Sequence, residues 1–151
     1  MNAVVRPAEP GDAAALVALA TAVTAEPEGW LLTDSAWRTV AEERRYLRAL
    51  RRHPHAMVFV AEENGAVVGR LSISRDPHPA SSHVADLGLM VARGHRRRGV
   101  GAALLRAAER WASGAGVEKL GYATEGRRRA HYRRPDGTRL DAILMAKLLT
   151  A

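Results

Sequence analysis

The sequence predicts one α/β domain spanning residues 1–151, built on a mixed, mostly antiparallel central sheet flanked by helices. Three observations lead there. Two apolar runs, Met57 to Ala61 and Val67 to Ile73, flank Glu63-Asn64-Gly65, and an Asn-Gly pair supports the positive φ angles of a tight hairpin. The stretch from Asp86 to Leu105 reads as a strand, a basic glycine loop and a helix start. Near the N-terminus, Leu16, Leu19, Ala20 and Val23 recur at helical spacing.

Taken in order, Val4-Val5-Arg6 makes a short first strand, and Pro-Gly punctuation leads to Asp12 as the cap of a helix over Ala13 to Val23. A loop follows through Trp30 and Leu31. Ser35 is expected to cap a second helix that lasts to about Arg52 and is stopped by His53-Pro54. Trp37, Val40, Arg44, Leu47 and Leu50 should line one side of it. The hairpin supplies strands two and three. After a proline-rich loop, His83 to Val91 forms strand four, which feeds the glycine loop and a helix ending at Gly114 and Gly116.

The junction of strand four with that helix is where chemistry is legible. A helix N-terminus leaves its first amides without intrahelical acceptors and carries partial positive charge, so an anion docks there. Gly99 and Gly101 have no Cβ, which lets phosphate oxygens approach the amides of residues 97–102, and Arg96, Arg97 and Arg98 add positive charge. A basic loop that merely turns the chain is the plainer alternative.

Composition narrows the function classes. With 151 residues and 47% hydrophobic content, the chain can bury a core as one domain. It has no Cys, and its six His show no helical ligand spacing, so disulfides and a zinc site are not expected. No basic segment precedes an apolar one at the N-terminus, and the expectation is a soluble, cytoplasmic protein without membrane attachment. The net charge of +7 raises nucleic acid as a partner, but aromatic residues are only 5%, too few for base stacking. All but Lys119 and Lys147 of the 23 basic residues are Arg, which looks like a compositional bias more than a binding stripe.

The pattern Arg96-x-x-Gly99-x-Gly101, set between an apolar strand and a helix carrying Leu104, Leu105, Ala108 and Trp111, resembles the acetyl-CoA signature of the GNAT superfamily of N-acetyltransferases. Ser82 to Val91 and the ending Asp141 to Lys147 are similar to bacterial amino-acid N-acetyltransferases within it. The resemblance implies a GNAT-type acyl-CoA N-acyltransferase fold. It also implies acetyl-CoA as cosubstrate, without metal, held through Leu89, Met90, Val91, Arg96, Arg97, Arg98, Gly99, Val100, Gly101 and Ala102.

The implied reaction moves an acetyl group to a primary amine, with a free amino acid as the first candidate among small-molecule acceptors. The oxyanion of acyl transfer needs a hydrogen-bond donor, which the resemblance puts in the strand-four backbone near Met90. A protonated amine needs a base, and period-two alternation places Asp86 with Gly88 and Met90 on one face of strand four. Tyr132 is the candidate acid, with Tyr122 behind it, although neither occupies the family's matching position. Asp141 and Met145 fit the family's terminal strand, beside the acyl site.

Family members follow Lys-Leu with a fifth strand and a helix bearing an Asn and a Tyr, whereas here Lys119-Leu120 runs straight into Gly121-Tyr122. The C-terminal half is therefore expected to be shortened. Either Leu120 to Thr124 pairs beside strand four, or a partner subunit supplies a strand, giving a homodimer through the C-terminal strands. The rival to an enzyme is a non-catalytic acetyl-CoA-binding or interaction module.

Overall fold

A six-stranded sheet runs in the order β1 (Val4–Pro7), β2 (Ala56–Glu63), β3 (Ala66–Arg75), β4 (Val84–Val91), β5 (Lys119–Arg133) and β6 (Arg139–Leu148). These elements come from a computed structural model that describes residues 3–28, 36–134 and 136–149. Every neighbouring pair is antiparallel except β4 and β5, which run parallel. Helices α1 (Ala13–Thr24) and α2 (Val40–Leu50) cover one face, and α3 (Val100–Gly114) covers the other.

The alternation of β2 builds this layering. Val58 and Val60 join Ala13, Leu16 and Leu47 on the α1/α2 face, while Phe59 and Ala61 pack with Leu104 and Ala108 of α3. Asn64 and Gly65 turn the hairpin with φ of 53° and 77°. On β3, a Cβ at Gly69 would stand 3.0 Å from Leu104 Cδ1 and 3.1 Å from Val100 Cγ1, so glycine sets how closely α3 approaches the sheet.

Helix α1 buries the predicted stripe of Leu16, Leu19, Ala20 and Val23. Its start differs from expectation. The Asp12 carboxylate takes the Arg6 guanidinium at 2.8 and 2.9 Å and accepts from the Glu9 amide, so it bonds no α1 amide. Helix α2 starts at Val40 because Thr39 and Glu42 form a reciprocal capping box. Trp37 therefore precedes the helix, Arg44 is exposed, and Glu43 and Leu47 are the buried residues. Ser35, Trp30 and Leu31 lie outside the described residues. Helix α3 ends in a Schellman turn, with Gly116 at φ 74° and the Val117 amide donating to the Ala112 carbonyl at 3.0 Å.

Strand β5 pairs with β4 only at Val84↔Lys119 and Ala85↔Leu120 and thereafter pairs with β6. Leu120 is fully buried against the α3 cluster. Among the described residues, no helix is long and apolar enough to cross a membrane.

Candidate functional site

Because β5 leaves β4 after two residue pairs, one edge of β4 opens into a gap. Hydrogen-bond parity decides which backbone groups face it. The Ala92 amide donates to Val68 on the β3 side, and the Asp76 amide donates to the Val84 carbonyl on that side. The register between β3 and β4 is unbroken from Ala85 to Val91, so the even-numbered residues of β4 bond β3. The odd-numbered residues Leu87, Leu89 and Val91 face the gap. The Leu89 amide therefore faces the gap, whereas the Met90 amide is turned toward Arg70 of β3.

Beyond Val91 a short helical turn, Arg93–His95, leads into the glycine loop. Arg97 and Gly99 both adopt positive φ, 59° and 86°, and the chain enters α3 from the left-handed Gly99. This double reversal points successive amides outward. The first amide of this region turned back into the helix is that of Ala103, on the Gly99 carbonyl at 3.0 Å, so the amides at the very start of α3 are left facing outward. Such a row of donors at a helix N-terminus fits a diphosphate. A Cβ at Gly101 would meet Leu89 Cδ2 at 3.6 Å and narrow the approach.

The three arginines divide their work. Arg96 forks onto Glu26 with both contacts at 2.7 Å, and its Nε donates to the Val91 carbonyl at 2.8 Å. Arg98 reaches Glu63 at 3.3 Å, and the same carboxylate holds His95 Nδ1 at 2.5 Å. Both carboxylates are buried, Glu26 with 8% and Glu63 with 5% of its side chain exposed. Among the described residues, Arg97 alone of the three has no anionic partner. Arg96 and Arg98 thus tie the loop to buried carboxylates. Neither Glu26 nor Glu63 belongs to a sequence motif, and their partners lie 70 and 35 residues away, so spacing along the chain does not reveal them.

A cleft of about 420 Å³ lies against this loop, lined by Val23, Leu89, Met90, Val91, Arg96, Arg97 and Gly101. Val100 is buried in the core, and Ala102 is exposed on the first turn of α3. The floor continues along β4, where Asp86 and Gly88 are exposed on the face that also carries Met90. Tyr132 is not brought into the cleft lining. It stands 45% exposed opposite Leu140, its ring edge-on to His131. The end of that hairpin returns toward the loop, with Arg134 donating to the Glu28 carbonyl and the Glu28 carboxylate paired with Arg93. Asp141 lies exposed on the hairpin, clasping Arg127 and accepting from the Ala130 amide at 2.7 Å. Those two contacts hold its carboxyl below the usual carboxylate range, the Ala130 amide contributing most. Met145 is exposed as well. The side chain of Tyr122 lies outside the described residues.

Comparison with known proteins gives these features a context. The sequence profile of the Acetyltransferase (GNAT) family matches residues 22–133. The chain resembles a GNAT-family acetyltransferase from Streptococcus pneumoniae at 25% identity and TM-score 0.82, covering 97% of this chain and 99% of that one. It superposes with TM-score 0.84 on a ribosomal-protein-alanine N-acetyltransferase from Brucella melitensis, at 23% identity over 97% and 99% of the two chains. A phosphinothricin acetyltransferase from Sinorhizobium meliloti in complex with AcCoA gives TM-score 0.84 at 18% identity, over 99% of this chain and 89% of that one. No curated protein matches the chain.

Proposed function

The chain belongs to the GNAT acetyltransferase family, and on that premise we propose that it acetylates a primary amine lying on the floor of β4, a free amino acid being the first candidate. It is an acetyl-CoA-dependent N-acetyltransferase. One observation carries the site assignment: the outward-facing N-terminus of α3 and its glycine loop border the same cleft as the gap-facing edge of β4. The residues present fit acetyl-CoA, since its diphosphate needs that donor row and its pantetheine arm needs an unpaired strand edge.

When bound, acetyl-CoA supplies a thioester carbonyl as the electrophile. In our reading the Leu89 amide donates to the carbonyl oxygen as negative charge grows on it, a preorganised donor that needs no reorientation. Asp86 accepts the proton of the incoming amine, directly or through a water. Arg97 neutralises diphosphate charge, and Glu26 and Glu63 keep the loop in shape through Arg96, His95 and Arg98. Tyr132 has no assigned proton transfer, because a thiolate is a good leaving group near neutral pH. The long β5–β6 hairpin, exposed on both faces, is in this reading also the place where two copies would meet.

Calorimetric titration with acetyl-CoA, run on the wild type and on Gly99→Glu, tests the site. The carboxylate of the variant would occupy the anion cradle at a φ that strains any side chain. Binding by the wild type alone is expected. Equal binding by both proteins would place the cofactor elsewhere.

A further inference from the structure

Beside the cleft, three buried polar atoms have no hydrogen-bond partner among the described residues: Trp37 Nε1, Glu43 Oε1 and Arg70 Nε. They belong to one cluster. The Arg70 guanidinium lies 5.3 Å from the centre of the Trp37 ring, and Arg38 lies 5.3 Å from the same ring and 4.2 Å from that of Tyr46. Arg38 donates to Glu43 Oε2 at 2.6 Å. Glu43 is 0% exposed and Arg70 is 4% exposed.

A buried guanidinium is costly without a hydrogen-bonded anion, and Glu43 spends its bonded oxygen on Arg38. Arg70 receives from Glu43 only attraction through space, and burial pushes its pKa below the usual arginine value despite that attraction. Two of the three orphaned atoms are N–H donors, so the cluster is short of an acceptor.

Its position gives the shortage a meaning. Arg70 is the cross-strand partner of Met90, and Trp37 packs on the apolar cluster that contains Met90. Met90 also lines the acetyl-CoA cleft. The next pairs along the two strands are Ser72↔Gly88 and Ser74↔Asp86, where Gly88, Ser74 and Asp86 are exposed. A Cβ on Gly88 would stand 3.2 Å from Ser72 Oγ, so glycine keeps this floor open. Along these paired strands an exposed carboxylate, Asp86, thus stands at one end and a buried, donor-rich cation, Arg70, beneath the other.

We propose that Arg70 and the Trp37 indole N–H form an acceptor subsite that binds a carboxylate on the substrate, so that the enzyme selects small amines bearing an acid group. The inference rests on the reading that the acceptor lies along β4. It sets amino acids apart from polyamines and aminoglycosides, which bring no anion to Arg70. Arg70 is a specificity-determining residue in this scheme, and the orphaned Glu43 Oε1 accepts from a donor of the bound molecule or from a water held with it.

The test uses matched acceptors: the twenty free L-amino acids and their carboxamides, with acetyl transfer followed by thiol release. Wild type should favour the free acids at least tenfold in kcat/KM. Arg70→Gln should cut kcat/KM for the acids about a hundredfold, leave the carboxamides within about threefold and leave the Kd for acetyl-CoA unchanged. Trp37→Phe keeps the ring, removes the N–H and should lower turnover of the acids alone; it serves if Arg70→Gln does not fold. Equal turnover of acids and carboxamides, or equal loss of both in the variants, overturns the subsite and leaves amine acetylation standing. Turnover of neither set by protein that binds acetyl-CoA overturns the small-amine reading and the subsite together.

Discussion

Arg96 and Glu26, two residues past the end of α1, lock that helix end to the glycine loop through two parallel contacts of 2.7 Å. The fork is directional, because Arg96 Nε is at the same time fixed on the Val91 carbonyl at the end of β4. One side chain thereby joins three elements, and the loop inherits its shape from that junction. Glu26 also drives the Arg96 pKa further above its usual value, so the guanidinium stays charged at any working pH.

Glu26→Gln keeps the shape and removes the charge. The KM for acetyl-CoA is expected to rise about tenfold, equivalent to about 1.4 kcal/mol, with kcat within about twofold. Steady-state kinetics at saturating amine would check it, and a fall in kcat with KM unchanged would contradict a role in holding the loop.

Asp86→Asn removes the proposed base from an exposed position without touching the core. Turnover should fall about a hundredfold while acetyl-CoA affinity holds, the usual scale of general-base catalysis. Tyr132→Phe run alongside should change turnover little. A loss of several orders of magnitude there would make the hairpin tyrosine the acid after all.

Gly69→Ala places a methyl group 3.0 Å from Leu104 and 3.1 Å from Val100, tighter than most packed contacts, so both side chains must give way. Overpacking of this kind costs about 1–3 kcal/mol. Thermal unfolding should show a lower Tm, and an unchanged Tm would mean that α3 shifts freely on the sheet.

The hydrogen bond from Arg6 holds the Asp12 carboxyl below its usual range, outweighing the opposing effect of burial. A carboxyl with a depressed folded pKa stabilises the fold fully above its unfolded value of about 4 and loses that contribution as pH falls through the lower folded value. Asp12→Asn should therefore lower Tm by about 4–8 °C at neutral pH, the equivalent of about 2 kcal/mol. The gap from wild type should close only below about pH 4. A gap that persists at pH 2 would assign the loss to geometry and not to charge.

Local rules were enough for most of the architecture. The apolar stripe of α1, the Asn64-Gly65 hairpin, the run into β4 and the glycine loop are written in neighbouring residues, and periodicity or turn chemistry reads them directly. Family membership is legible in the same stretch, because the pattern Arg96-x-x-Gly99-x-Gly101 lies in one contiguous loop. Helix α2 starts at Val40 and not directly after Ser35, because the Thr39–Glu42 box caps it there.

What only the tertiary structure decided are relationships between distant residues. Glu26 meets Arg96 and Glu63 meets Arg98 across 70 and 35 positions, which gives two of three adjacent arginines buried carboxylate partners. Hydrogen-bond parity in β4 turns Leu89, and not Met90, toward the gap, and the early divergence of β5 leaves that edge open. Arg70 carries no motif and becomes notable only when the sheet buries it beside Trp37 and Met90. Charge pairing and burial depend on which surfaces meet, and no window along the chain contains that information.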